Sequence, residues 1–168
     1  LMSDGRYGAM GLIVCDINGL KLINDTKGHE AGDELLNACA DILRACFRKG
    51  DVIARIGGDE FAVFLPECSR KEVEAGCARI RDGVAQYQEM HPQKGLSVSL
   101  GYAAAEEASF DMSLLFKRAD DAMYREKLQQ SHSSRSETVQ ALIKTMEARD
   151  YITEGHAGRL QDYAHKLA

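Results

Sequence analysis

Three carboxylates in two separate stretches are the residues of this chain best suited to do chemistry. Asp59 and Glu60 follow directly on Gly57-Gly58, inside Ile53-Ala-Arg-Ile-Gly-Gly-Asp-Glu-Phe-Ala-Val-Phe-Leu-Pro66. Asp16 stands near the end of the apolar run Gly11-Leu-Ile-Val-Cys-Asp-Ile17. A lone carboxylate in such a run costs several kcal/mol unless a cation or hydrogen-bond donors meet it. Asp16 is therefore either a satisfied structural aspartate or a metal ligand, and the run alone leaves both open. Gly57-Gly58-Asp59-Glu60 alone reads as a solvated hairpin turn, the glycines supplying positive φ. Two acids at one tip exceed what a turn needs, and a second acidic stretch upstream shifts the weight toward a shared cation. Oxygen ligands of this kind suit Mg²⁺, which keeps bound phosphates. Two such ions could activate a hydroxyl and stabilise a leaving pyrophosphate.

The elements that must position these acids are legible from periodicity. The run ending at Asp16 and Ile17 is a strand covered on both faces, central in a sheet. Asn18-Gly19 is a turn, and Lys21 to Thr26 a short helix. Lys27 to Gly32, with two glycines, reads as a loop. Asp33 then opens an amphipathic helix on Leu35/Leu36, Cys39, Ile42/Leu43 and Cys46/Phe47, closed by Arg48-Lys49-Gly50. Val52–Ile56 and Phe61–Leu65 form the hairpin arms. Ser69 with Glu72 is a capping box for a helix to about Met90, weakened at Gly76 and Gly83. Leu96–Tyr102 alternates as a strand. Asp111 caps a further helix to Leu128.

The order β-α-β-β-α-β-α gives an α+β fold. It is the ferredoxin-like, palm-type βαββαβ plan, a sheet with helices on one face and a C-terminal helical extension. On that plan the first strand neighbours the hairpin, so Asp16 lies beside Asp59 and Glu60. The reading requires that convergence. Side chains pointing apart, or a neighbouring cation filling the gap, would collapse the enzymatic reading and leave an ordinary small α+β domain. Gln129 to Ser136 is a polar, serine-rich linker by composition. It is followed by an amphipathic stretch on Val139, Leu142/Ile143 and Met146 and another from Leu160 to Leu167.

The chain has 168 residues, 45% hydrophobic and 28% charged, a globular composition. A net charge of −5 argues against a surface that gathers nucleic acid by bulk attraction. No apolar run is long enough to span a bilayer, and no signal peptide is visible. The 5 cysteines, Cys15, Cys39, Cys46, Cys68 and Cys77, include no C-x-x-C pair. They read as buried free thiols in a reducing cytoplasm.

On these residues the sequence resembles the GGDEF family, the diguanylate cyclases, over about residues 11–130. Beyond the pentapeptide Gly57-Gly58-Asp59-Glu60-Phe61, the stretch Asp16-Ile-Asn-Gly-Leu-Lys-Leu-Ile-Asn-Asp-Thr-Lys-Gly-His-Glu-Ala-Gly-Asp33 resembles the family's first motif at its spacing. Ser97-Val-Ser-Leu-Gly101 and Ala119-Asp-Asp-Ala-Met-Tyr124 resemble its later ones. The resemblance implies a homodimer of GTP-loaded protomers that forms cyclic di-GMP and releases two pyrophosphates. It implies Mg²⁺ (or Mn²⁺) on Asp16, the Ile17 carbonyl and Asp59, with Asp59 and Glu60 catalytic. Asn24 and Asp33 would meet the guanine edge, with His29 near the substrate. Lys21, Lys127 and backbone amides at Asn18 to Leu20 would face the phosphates. Asp33 favours guanine, since relatives making mixed cyclic AMP-GMP usually carry Ser there. Arg48, Asp51 and Arg79 resemble an allosteric inhibitory site for the product. The alternative for Arg48 and Asp51 is a helix C-terminal arginine followed by a turn aspartate.

The chain departs from the family pattern in three places. The opening D-x-L-T-G-L stretch and first helix are missing, so the chain is expected to start late within the domain. Ser131 stands where a phosphate-facing arginine is usual. Asn18 stands where Asp is common. Residues 141–156, with Arg159, resemble the opening of an HD-GYP phosphodiesterase domain, in which His156 would be the first metal-site histidine; the His-Asp pair and later ligands are not in this chain, so His156 is expected to be a surface or helix residue here. The implied organisation is a GGDEF domain at 1–130, a linker at 131–137 and the helical start of an HD-GYP domain at 138–168. Three function classes follow. The first is an active cyclase. The second is a catalytically weak GTP/cyclic di-GMP-binding regulatory module controlling an adjacent HD-GYP phosphodiesterase. The third is a structural dimerisation domain, which leaves the acids without purpose.

Overall fold

A computed structural model of the chain describes residues 9–105, 111–133, 139–141 and 144. The elements are β1 (Met10–Ile17), α1 (Leu20–Lys27), α2 (His29–Cys46), β2 (Val52–Arg55), β3 (Glu60–Pro66), α3 (Arg70–Met90) and β4 (Val98–Ala105). A last helix, α4, covers residues 112–133. The chain divides into two units, Leu1–Leu128 and Gln129–Ala168. The described residues of the second, at 129–133, 139–141 and 144, are helical.

The four strands form one antiparallel sheet in the order β2-β3-β1-β4. As its unbroken apolar run requires, β1 is interior and every residue in it is buried. Strand alternation sends its side chains to opposite faces. Ile13, Cys15 and Ile17 join Leu35, Cys39, Leu43, Val73, Cys77 and Ile80 under α2 and α3. Leu12 and Val14, with Ala62 and Ala103, pack under Leu115, Ala119 and Met123 of α4. Both faces are thus covered, which corrects the expectation of helices on one face only: the stripe at 115, 119 and 123 needs a sheet face of its own. Each valine, leucine or isoleucine fully buried here contributes roughly 1.5–3 kcal/mol by leaving water. Gly101 lets α4 sit down: a Cβ there would lie 2.1 Å from the Ala119 carbonyl oxygen and from the Met123 nitrogen.

The local signals are met in most places. Ser69 and Glu72 form the capping box of α3, with the Ser69 N–H donating to Glu72 Oε2 at 2.6 Å. The Asp111 carboxylate accepts from the Ser113 N–H at 2.8 Å. Gly76 and Gly83 cost helix propensity but admit close neighbours, Phe47 and Ile42, at 3.0 and 2.8 Å from where a Cβ would stand. The cysteines are free, and all but the half-buried Cys46 are buried.

Two further expectations are corrected. α2 begins at His29, not Asp33, and its N-cap is Gly28 at φ 90°. The two glycines of 27–32 signal a loop, yet one makes the turn between helices and the other lies inside α2. The Gly57-Gly58 turn has no positive φ; among the described glycines only Gly19, Gly28 and Gly95 do. Residues 129–133, in the stretch that composition reads as linker, are helical. Residues 134–138, and His156 with most of the HD-GYP-like stretch, lie outside the described residues.

Candidate active site

The two acidic stretches meet. Asp16 and Glu60 are register partners across β1 and β3. The Ile17 N–H donates to the Asp59 carbonyl at 2.9 Å and ties the hairpin tip to the end of β1. Parity decides which way the acids face: Asp16 follows Leu12 and Val14, and Glu60 precedes Ala62, all on the α4 side. Asp16 is 3% exposed.

A neighbouring cation does stand in the gap, the outcome that the sequence reading counts against catalysis, and it belongs to the chain. Lys127 Nζ donates to both carboxylate oxygens of Asp16 at 2.7 Å. Lys127 comes four residues after Met123, so it extends the α4 stripe that faces the sheet. Burial pushes the Asp16 carboxyl up, the Lys127 ammonium restrains that rise, and the Asp59 charge adds to it. Glu60 is pushed up as well, first by burial and then by Asp16, Asp59 and Asp120. The site is a knot of mutually repelling carboxylates that one ammonium only partly neutralises.

Such a donor set fits a hard divalent cation. Among the described residues no cluster of three or more His, Cys, Asp or Glu side chains could hold a metal alone. Magnesium, however, is commonly held by one or two carboxylates with the remaining oxygens from substrate phosphates. Asp16, Asp59 and the Ile17 carbonyl meet that requirement in kind. An ion entering here shares the Asp16 oxygens with Lys127 or displaces it.

The turn after Asp16 is held from β4. Asn18 N–H donates to the Ser97 carbonyl at 2.8 Å. Its side-chain amide donates to Ser97 Oγ at 3.1 Å and accepts from Ser99 Oγ at 2.8 Å. An amide can both donate and accept, which gives Asn rather than Asp a purpose here and explains both serines of Ser97-Val-Ser-Leu-Gly101. Gly19, at φ 69°, then starts α1 with Leu20 buried and Lys21 exposed.

Asn24 packs against Gly32, the residue before Asp33. Asn24 Oδ1 is buried without a hydrogen-bond partner and lies 2.0 Å from where a Gly32 Cβ would stand. A buried acceptor left unsatisfied is uncommon and invites a ligand donor. Asp33 and His29 are exposed on α2. The adjoining 91–95 loop is tied to these helices by Lys27 Nζ, which donates to the Gln93 carbonyl at 2.9 Å, and by the Lys94–Glu34 ion pair.

Arg48, Asp51 and Arg79 have structural partners. Arg48 Nε and its backbone N–H each reach Asp51 at 3.1 Å, and its guanidinium donates to the Pro66 carbonyl at 2.8 Å. Arg79 Nε donates to the Cys46 carbonyl at 3.0 Å, and its guanidinium lies 5.5 Å over Phe47. The arginine–aspartate turn is therefore formed, with Arg48 63% and Asp51 6% exposed at the side chain.

Sequence reasoning passed over Arg55. Its guanidinium donates to the carbonyls of Gly57 and Gly58 at 3.2 and 2.6 Å. An arginine two residues before a glycine pair was the available signal.

Comparison with known proteins agrees with this architecture. The family profile described as "Diguanylate cyclase, GGDEF domain" matches residues 2–133. Diguanylate cyclase A of Treponema denticola is 36% identical over 128 residues, 74% of this chain and 34% of that protein. Diguanylate cyclase DgcM of Escherichia coli is 40% identical over 116 residues, 69% of this chain and 28% of that protein. The chain thus spans about a third of the length of these curated relatives. The GGDEF domain of DgcB from Caulobacter crescentus, solved in complex with c-di-GMP, superposes with a TM-score of 0.65 at 28% identity. That match covers 72% of this chain and 73% of the DgcB chain. Family membership implies use of a divalent metal ion, in keeping with the oxygen donors gathered at Asp16. The chain belongs to the GGDEF domain family of diguanylate cyclases.

Proposed function

We propose that this domain is a diguanylate cyclase that condenses two GTP into cyclic di-GMP and two pyrophosphates across a homodimer. The observation that carries the reading is the cross-strand pairing of Asp16 with Glu60 beside Asp59, in a chain of this family. Asp59 takes the proton of the attacking 3′-hydroxyl, the hydroxyl oxygen bonds to the α-phosphorus of the facing GTP, and pyrophosphate leaves. Glu60 assists at the same position. The second bond forms the same way with the protomers' roles exchanged. Asp16, the Ile17 carbonyl and Asp59 would hold Mg²⁺ or Mn²⁺, which would supply positive charge to the phosphoryl transfer. Lys127, Lys21 and the amides ending at Leu20 hold the phosphates. Asn24 and Asp33 read the guanine edge, the unpartnered Asn24 oxygen accepting from a guanine N–H, with His29 beside it. GTP as substrate and free thiols in the core are consistent with a cytoplasmic domain.

Purified chain given GTP with Mg²⁺ is expected to yield cyclic di-GMP and pyrophosphate. Asp59→Ala is expected to cut product formation by at least about a hundredfold, the scale of losing a catalytic base. Unchanged turnover in that variant removes Asp59 from the mechanism.

A second reading is favoured by the Asp16–Lys127 pair and by Ser131. In it the domain binds GTP or cyclic di-GMP with little turnover and controls an adjacent HD-GYP phosphodiesterase, the segment at 138–168 being its start. Product held by Arg48, Asp51 and Arg79 would be the regulatory ligand in either case, and Arg48 would have to leave Asp51 to receive it. Calorimetry separates the two readings: tight nucleotide binding without pyrophosphate release supports the regulatory module.

A further inference from the structure

We infer that Arg55 is a positioning residue for the proposed reaction: it clamps the turn that carries Asp59 and Glu60. The connection between β2 and β3 is residues 56–59, and its glycines do not adopt positive φ. It therefore lacks the self-sufficient geometry of a two-residue primed hairpin, whose twist matches the flanking strands. A set of hydrogen bonds, within the connection and from its neighbours, holds it instead. The Ile56 and Gly57 N–H groups donate to the Glu60 carbonyl at 2.9 and 3.3 Å. The Asp59 carbonyl is taken by the Ile17 N–H at 2.9 Å. The two carbonyls between, of Gly57 and Gly58, are both taken by the Arg55 guanidinium.

Three consecutive carbonyls of the acidic tip are thus fixed from two sides, by β1 and by Arg55. Peptide planarity makes the consequence specific. With the Gly57 and Gly58 carbonyls turned to Arg55, the N–H groups of Gly58 and Asp59 turn the opposite way, and the rotation of the Asp59 backbone is set. Gly57 adds to this: a Cβ there would lie 2.6 Å from Glu60 Oε2, so the glycine leaves room for the second acid. A planar guanidinium spreads its donors over several nitrogens, which suits two successive carbonyls; a lysine ammonium offers its donors from a single nitrogen. Arg55 pairs with Phe61 in the β2–β3 register and with Ile53 and Leu36 lines the groove between α2 and the hairpin. Its stem starts from sheet, not from a mobile loop.

The inference rests on the cyclase reading, and the test separates the two. Amide hydrogen exchange of the whole chain, with and without Arg55→Ala and Arg55→Lys, is read alongside steady-state kinetics with GTP and Mg²⁺. The expected result is faster exchange at Ile17, Ile56 and Gly57 in both variants, with helix amides unchanged. With it, kcat falls about tenfold to a hundredfold at a nearly constant KM, the cost of a small misplacement of catalytic groups. Guanidinium ion at sub-denaturing concentration should restore part of kcat to Arg55→Ala and none to Arg55→Lys. Wild-type exchange and kcat in Arg55→Ala would overturn the clamp. So would a loss of activity that tracks a general rise in exchange across α2 and α3. If the turn loosens as expected while the wild-type chain makes no cyclic di-GMP, the clamp stands and the cyclase reading fails.

Discussion

Lys127 and Asp16 show how one residue pair serves both the fold and the site. Asp16 is buried at the end of a central strand, and an ion pair there holds only if both partners stay. Removing one partner of a buried pair leaves the other charge unpaired, which costs about 3–5 kcal/mol when no water reaches it. Lys127 is 39% exposed at the side chain, so solvent screens part of this, and Lys127→Met is expected to cost roughly 1–3 kcal/mol. Urea unfolding at neutral pH measures it. Adding Asp16→Asn should recover much of the loss, because the orphaned charge is gone, and the double-mutant cycle isolates the pair. A full loss persisting in the double variant would show that Lys127 stabilises by packing. The acids of this site were legible in the sequence because a carboxylate in an apolar run is conspicuous. Lys127 as the partner of Asp16 was not, because its contact is 111 residues distant and nothing local marks it.

Among the elements, α3 carries the clearest terminal signal. Glu72 is held below the usual carboxylate range, first by the Ser69 backbone N–H and then by its hydroxyl. A depressed carboxyl contributes stability that is present above its unfolded pKa and lost as pH falls through the folded one. Glu72→Gln keeps an acceptor for the Ser69 N–H but loses the charge. Thermal unfolding is therefore expected to separate wild type and variant at neutral pH, with the gap closing below the ordinary carboxylate range. A gap unchanged by acid would assign the effect to shape instead of charge. The boundaries of α3 and β1 could be read locally because cap and apolar run coincide with the element. α2 misled for a physical reason. Gly32 looks like a loop residue, but it is glycine so that Asn24 can lie against the helix, a demand that exists only once α1 and α2 are packed. Gly101 hides the same kind of information, since its missing side chain is explained by the backbone of α4.

For the molecule as a whole, the proposed reaction needs two chains, each bringing one GTP. Specific activity is therefore expected to rise with chain concentration over the range in which sedimentation shows dimer forming. A specific activity independent of concentration, on protein that sediments as monomer, would contradict the shared site. The βαββαβ plan was readable from element order, while the antiparallel sense of the pairings and the helix on the second face emerged only from three-dimensional packing. That helix also sets a schedule. Because Asp16 sits in the first strand and Lys127 near the end of the last helix of the sheet, a chain emerging from the ribosome completes its β-sheet before the ammonium arrives. Until then the strand-end aspartate stands uncovered, so the acidic site completes its charge balance late. A polypeptide whose synthesis stops short of residue 127 would carry every acid of the site and still lack its finished electrostatics.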